Sequence, residues 1–166
     1  MENVIIRSAT GQDFPEIVEL NASEVEYTSV MDEERLRHLH SLSAYHKVAV
    51  VDGNIAAFIL VMKDGVPYRN DNYEWHTARH QKFLYIDRIV VDQKYQGQKI
   101  GSLLYKDLFD YARKHNIPLV CCEINSIPPN KPSQAFHARH GFRETGSQWI
   151  CNGEKKVSMQ VANLEE

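Results

Sequence analysis

The stretch that decides the fold reads Ile86-Asp87-Arg88-Ile89-Val90-Val91-Asp92, followed by Tyr95-Gln96-Gly97-Gln98-Lys99-Ile100-Gly101. The run from Phe83 to Asp92 is nearly continuous in apolar residues apart from Asp87 and Arg88, which predicts a strand. From Ile100 to His115, Ile100, Leu103, Leu104, Leu108, Tyr111 and Ala112 keep helical spacing. Glycines between a strand and a helix let the backbone turn tightly and bring amide N–H groups to a bound anion. The helix start adds unpaired N–H groups and a partial positive charge. Together they make a phosphate cradle. Gly97 and Gly101 enclose three residues and Ser102 follows directly, so this is not a P-loop, and the dinucleotide fingerprint G-x-G-x-x-G is also absent. A strand-to-helix turn that holds no ligand is the plain alternative.

Working outward, Val4 to Arg7 predicts a first strand. Gln12 to about Glu26 predicts a helix with Phe14, Ile17, Val18 and Val25 near one face. Asp32 to Tyr45 predicts a second helix, capped by Asp32, with Glu33 and Glu34 suited to its first turn. Lys47 to Val51 and Ile55 to Met62 are strand-like runs joined at Asp52-Gly53, a hairpin signal. Residues 63–82 are polar, aromatic and irregular, and predict a long loop. Beyond the central helix come a strand over Leu119 to Ile124 and a short helix from about Pro132 to His140 that stops at Gly141. Two strands, Phe142 to Cys151 and Glu154 to Val161, meet around Asn152-Gly153. The order β-α-α-β-β-β-α-β-α-β-β describes one mixed α/β domain over residues 1–166.

Composition sets limits on function. With 19 basic and 22 acidic residues the formal net charge is −3, which argues against a dedicated nucleic-acid binder. The longest apolar run, Ile55 to Met62, falls well short of the roughly 20 residues a membrane helix needs. The start shows no basic region followed by an apolar stretch, so a cytoplasmic location is expected. The cysteines are Cys121, Cys122 and Cys151, an odd number that fits reduced thiols better than a disulfide framework.

The quoted stretch resembles the acetyl-CoA signature of the GNAT superfamily of N-acetyltransferases, Arg/Gln-x-x-Gly-x-Gly/Ala after a strand, with Gln96 and Gly101 matching. Lys99 stands where the first of the two glycines is usual. A left-handed backbone there costs a lysine more than a glycine, and an ammonium beside a phosphate offsets the cost. Glu123-Ile124-Asn125, Asn130 and Phe136-His137-Ala138-Arg139-His140-Gly141-Phe142 continue the resemblance, within a bacterial branch of predicted acetyltransferases that names no acceptor.

The resemblance implies a GNAT-like fold: a mixed, mostly antiparallel sheet splayed between its fourth and fifth strands and flanked by about four helices. It implies acetyl-CoA as cosubstrate and no metal. Ile89 and Val91, with Val90 between them, would offer backbone groups to the pantetheine arm, the physics of β-augmentation. The amides of Gly97, Gln98, Lys99, Ile100, Gly101 and Ser102 would hold the pyrophosphate after Gln96, and Asn130 would hydrogen-bond the cofactor. An amine, from a small molecule or a protein N-terminus, would attack the thioester directly in a ternary complex.

That reaction needs a base and an acid. His137 stands where the family commonly places a Tyr acid, and a histidine can donate to a thiolate. It can equally be a packed helix residue. Glu123 and Asp87 are the candidate bases; each can equally be structural, Asp87 by pairing with Arg88 or Arg143. His76 and His80 lack the Glu of a zinc-protease motif. Tyr68, Tyr73 and Trp75 would either wall an acceptor pocket or cover core. A cysteine nucleophile lacks a partner base in sequence. A non-catalytic acyl-CoA-binding or sensing module is the alternative to an enzyme. A homodimer through the C-terminal strands is expected, because long strand edges are commonly paired or covered.

Overall fold

The computed structural model describes residues 3–24 and 29–165. The elements are β1 (Val4–Ser8), α1 (Phe14–Ala22), α2 (Glu33–Leu42), β2 (Ser43–Val51), β3 (Asn54–Lys63), α3 (Asp71–Thr77), β4 (Leu84–Val91), α4 (Ile100–Lys114), β5 (Leu119–Ile127), α5 (Lys131–Arg139), β6 (Arg143–Ile150) and β7 (Lys155–Asn163). The seven strands form a mixed sheet in the order β1-β2-β3-β4-β5-β7-β6. Four pairings, β1–β2, β2–β3, β5–β7 and β6–β7, are antiparallel, and β4–β5 is parallel. The α/β class expected from the sequence is what the chain adopts. The chain forms two compact units, Met1–Met62 with Ile86–Leu108 and Lys63–Tyr85 with Phe109–Glu166.

In the first unit, β2 and β3 close a hairpin at Asp52-Gly53, whose φ values of 49° and 79° suit the tight turn that the two residues announce. Ile55 to Met62 are buried throughout, so β3 is covered on both faces. Asp13 accepts two hydrogen bonds from Arg7, at 2.8 and 2.9 Å, and one from the Thr10 amide at 2.8 Å. These hold its carboxyl at about 2. Asp32 caps α2 as expected, accepting from the Arg35 amide at 2.7 Å. The helix ends at Leu42, short of the expected Tyr45. Ser43 closes it by donating to the His40 carbonyl at 2.7 Å, and Tyr45 and His46 are then buried in β2. The expected extension of α1 to Glu26, with Val25, reaches beyond the described residues.

In the second unit, β7 lies between β5 and β6, with Leu119 opposite Asn163 and Arg143 opposite Val161. The expected loop over 63–82 contains α3. Asn70 starts this helix by accepting from the amides of Asn72 and Tyr73, both at 3.0 Å, a cap that the surrounding Gly65 and Pro67 concealed in the sequence. Tyr73 donates to the Lys63 carbonyl at 2.6 Å and packs with Tyr68, Phe83 and Tyr85. The β6–β7 turn is wider than a two-residue hairpin: Ile150 pairs with Lys155, and Cys151, Asn152 and Gly153 all have positive φ.

Three histidines are buried in these units, His46 in the first and His76 and His137 in the second. Burial lowers each to about 4, with His40 adding to the effect at His46. Unfolding returns each ring to the usual value of 6.5. Between those values the unfolded chain binds more protons than the folded one, so stability is highest above pH 6.5 and falls as the pH drops. The loss approaches about 1.4 kcal/mol per pH unit for each ring. Denaturant unfolding at a series of pH values should show this slope, and His46→Gln should flatten it.

Candidate active site

The expected anion cradle lies within the first unit. Beyond β4, the Asp92 amide donates to the Ala56 carbonyl at 2.8 Å, and the Asp92 carboxylate accepts from the Lys94 amide at 3.0 Å. The chain then reverses through Gly97 at φ 87° and Lys99 at φ 63°. Positive φ at alternate residues is a backbone arrangement that can form an anion-binding concavity, although the Gln98 amide between them donates to the Tyr95 carbonyl at 3.3 Å. The Lys99 carbonyl accepts from Leu103 at 3.1 Å, so Lys99 is the residue on which α4 begins. Helix geometry gives the Ile100 and Gly101 amides no intrahelical acceptor. Ile100 is buried, as are Leu104 and Leu108, and these anchor the helix from below. Gln96, Gly97, Gln98 and Lys99 are exposed, and Gly101 and Ser102 are half-buried. On β4, Ile89 and Val91 are half-buried and alternate with buried Arg88 and Val90.

Asp87 lies in the same unit, where Arg88 Nε donates to it at 2.7 Å and both side chains are almost wholly buried. The guanidinium also reaches Asn21 Oδ1 at 3.2 Å, the Ser29 carbonyl at 3.0 Å and Ser29 Oγ at 3.0 Å. Removing either charge of such a buried pair would strand the other, so the two side chains form one structural unit. Of the two partners considered for Asp87, the structure brings Arg88.

The second unit holds the remaining candidates. Asn130 caps α5, accepting from the Ser133 amide at 3.3 Å while its own amide donates to the Asn125 carbonyl at 3.0 Å. His137 Nδ1 lies 2.8 Å from the Ser133 carbonyl, which places the ring's proton there. Burial, opposed by that carbonyl, holds the ring at about 4, so it is neutral at pH 7. The ring's proton is thus committed to a carbonyl of its own helix.

Glu123 is half-buried on β5, and its two carboxylate oxygens each lie 2.8 Å from the Tyr85 hydroxyl. Tyr85 sits in the apolar run of β4, where nothing in its sequence neighbourhood singles it out. Its pairing opposite Cys121 is what brings it beside Glu123. That parallel register comprises Leu84↔Val120 and Tyr85↔Cys121.

The other residues considered have structural settings. Tyr68 and Tyr73 cover core, whereas Trp75 is half-buried and carries the Arg79 guanidinium 3.8 Å above its ring. Cys121 and Cys122 are buried, and burial pushes both thiols up, away from the nucleophilic thiolate. His76 donates from Nε2 to the Cys122 carbonyl at 3.1 Å and stacks on His80. Among the described residues no cluster of three or more metal-ligating side chains forms, and no helix is long and apolar enough to cross a membrane.

The family model described as the acetyltransferase (GNAT) family matches residues 11–142. No curated protein matches the chain. Among similar solved structures, Ard1 from Thermoplasma volcanium is 17% identical with a TM-score of 0.78, covering 96% of this chain and 97% of its own. The ribosomal-protein-S18-alanine N-acetyltransferase of Escherichia coli is 17% identical with a TM-score of 0.74, covering 98% and 94%. The yncA protein of Salmonella typhimurium, solved with its cofactor acetyl-CoA, is 20% identical with a TM-score of 0.73, covering 99% and 95%. At these identities the likeness establishes the fold.

The left-handed backbone at Lys99 has a measurable consequence. Lys99→Gly should raise stability by about 1 kcal/mol by relieving that conformation. Denaturant midpoints check this, and a fall in stability would mean that the lysine side chain holds the loop.

Proposed function

Because the chain belongs to the GNAT family of acetyltransferases, we propose that it transfers the acetyl group of acetyl-CoA to a primary amine by direct attack in a ternary complex. The observation that carries this reading is the β4–α4 turn, where positive φ at Gly97 and Lys99 leads into an open helix start. In this proposal the backbone amides of residues 97–102 other than Gln98, whose amide donates to the Tyr95 carbonyl, receive the pyrophosphate, Ile89, Val90 and Val91 lie along the pantetheine arm, and Gln96 completes the cofactor contacts of this unit. The Lys99 ammonium adds charge that favours phosphate.

The amine nitrogen bonds to the thioester carbonyl carbon, the carbon–sulfur bond breaks, and the nitrogen loses a proton. We assign that proton to Glu123, a half-buried carboxylate that accepts from the Tyr85 hydroxyl. Asp87 is assigned to holding Arg88, and His137 to holding the turn of α5 at Ser133. The thiolate then takes its proton from solvent. The acceptor is a small-molecule amine or a protein N-terminus. We further propose that both units serve as one acetyltransferase domain, since β4 and α4 run through both and the family match spans both. A cytoplasmic setting fits the three free cysteines.

Acetyl-CoA incubated with a panel of small amines and N-terminal peptides, with a thiol reagent present, should show amine-dependent thiol release. Gly101→Val should stay folded and lose at least about tenfold in CoA affinity, because a bulky side chain at the helix start obstructs close approach to the amides. Unchanged CoA affinity in the folded variant would refute the cradle. CoA binding without thiol release would instead support a binding or sensing module.

The same reading includes a homodimer through β6. This strand ends the sheet order, and Trp149 on it is 54% exposed. Sedimentation at micromolar concentration should show a dimer, and a monomer alone would refute it.

A further inference from the structure

We propose that Tyr85 is a positioning residue for Glu123: its buried phenol aims and steadies the carboxylate that takes the acceptor's proton, an inference that rests on the acetyl-transfer reading above. Tyr85 is fully buried near the start of β4 and lies opposite Cys121 in the parallel register. Glu123 is two residues further along β5, so its side chain emerges on the same face as Cys121. The phenol oxygen lies 2.8 Å from each carboxylate oxygen. A donor centred between two acceptors fixes the plane and the direction of the carboxylate, as a donor to one oxygen would not.

The phenol is itself held. Tyr73 meets its ring edge-on at 5.5 Å, His76 lies at 5.9 Å and Tyr68 at 6.5 Å. Tyr73 and His76 come from α3, whose start is tied down by Asn70 and whose Tyr73 hydroxyl is tied to Lys63. This gives the short helix within residues 63–82 a purpose: it walls the ring that orients Glu123.

Four titratable neighbours are held uncharged by burial. From α3, His76 is kept neutral by burial, and on β5 the Cys121 and Cys122 thiols are protonated. From β7, Met159 stands opposite Glu123. From α5, which is tied to β5 at Asn125, His137 is also neutral. A hydrogen bond to an ionised group is stronger than one between neutral groups, so the phenol favours the ionised carboxylate.

Tyr85→Phe removes the hydroxyl and keeps the ring. It should lower kcat/KM at neutral pH by roughly tenfold or more and leave CoA affinity unchanged. Without the donor the carboxylate keeps its proton to higher pH, so the acid limb of the kcat/KM profile should move up by roughly one pH unit. Tyr73→Phe serves as the control: it removes a hydroxyl from the same cluster, bonded to Lys63 rather than Glu123. It should reduce stability and leave the profile in place. A wild-type profile in Tyr85→Phe, or the same shift in both variants, would overturn the proposal. A carbon-13 titration of the Glu123 carboxyl, assigned with Glu123→Gln, should show the same upward shift in Tyr85→Phe without any acceptor. Absence of amine-dependent thiol release from the parent protein would refute the acetyl-transfer reading. An unmoved titration would refute the hold of Tyr85 on Glu123 whatever the activity.

Discussion

Between the end of β4 at Val91 and the start of α4 at Ile100 the backbone must reverse within eight residues, its amides at Lys94, Tyr95, Gln96 and Gln98 bonded inside the loop, and this constraint governs the first unit. Gly97 and Lys99 absorb the reversal with positive φ. Glycine does so without steric cost, whereas lysine incurs the clash of its Cβ with the following carbonyl. The buried anchors on either side, Val90 before the turn and Ile100 after it, hold the reversal in place. Asp92 adds two local hydrogen bonds, one to Ala56 and one to Lys94, which stop the strand from running on into the loop. The cradle is therefore a property of backbone geometry, and its diagnostic side chains are few.

The buried histidines and thiols of both units are governed by burial more than by neighbouring charge. His46, His76 and His137 all lie near 4 with desolvation as the leading cause, and the two thiols of β5 move up for the same reason. A histidine suited by type to proton transfer is thereby kept neutral, and a cysteine pair suited by type to nucleophilic attack is kept protonated. Asp87 is held differently, by Arg88, which also grips Asn21 and Ser29. Glu123 accepts from a phenol, which stabilises its charge by hydrogen bonding.

Much of the order of elements was legible along the chain. The Asp52-Gly53 hairpin, the Asp32 cap and the periodicity of α4 all depend on residues within a turn or two of one another. Where the reading slipped, a distant partner was at work. The second helix stops at Leu42 because Tyr45 and His46 are taken into the sheet. The helix α3 was hidden among Gly65, Pro67 and polar residues; its Tyr73 and His76 are apolar-face residues only in relation to Phe83 and Tyr85. Likewise the order β5-β7-β6 could not be read from two consecutive strands joined by a turn, because that signal says nothing about which of them meets β5.

The alternation of strands and helices, the glycine-bearing turn before α4 and the resemblance to the acetyltransferase family are all readable along the chain, because periodicity and turn chemistry are local. The surroundings of each titratable group are set only by folding. Tyr85 and Glu123 are 38 residues apart, and Arg88 and Asn21 are 67 apart. Such pairings, and the loss of water that sets the state of each buried histidine, exist only once the chain has closed on itself, since a side chain's solvation depends on everything packed against it.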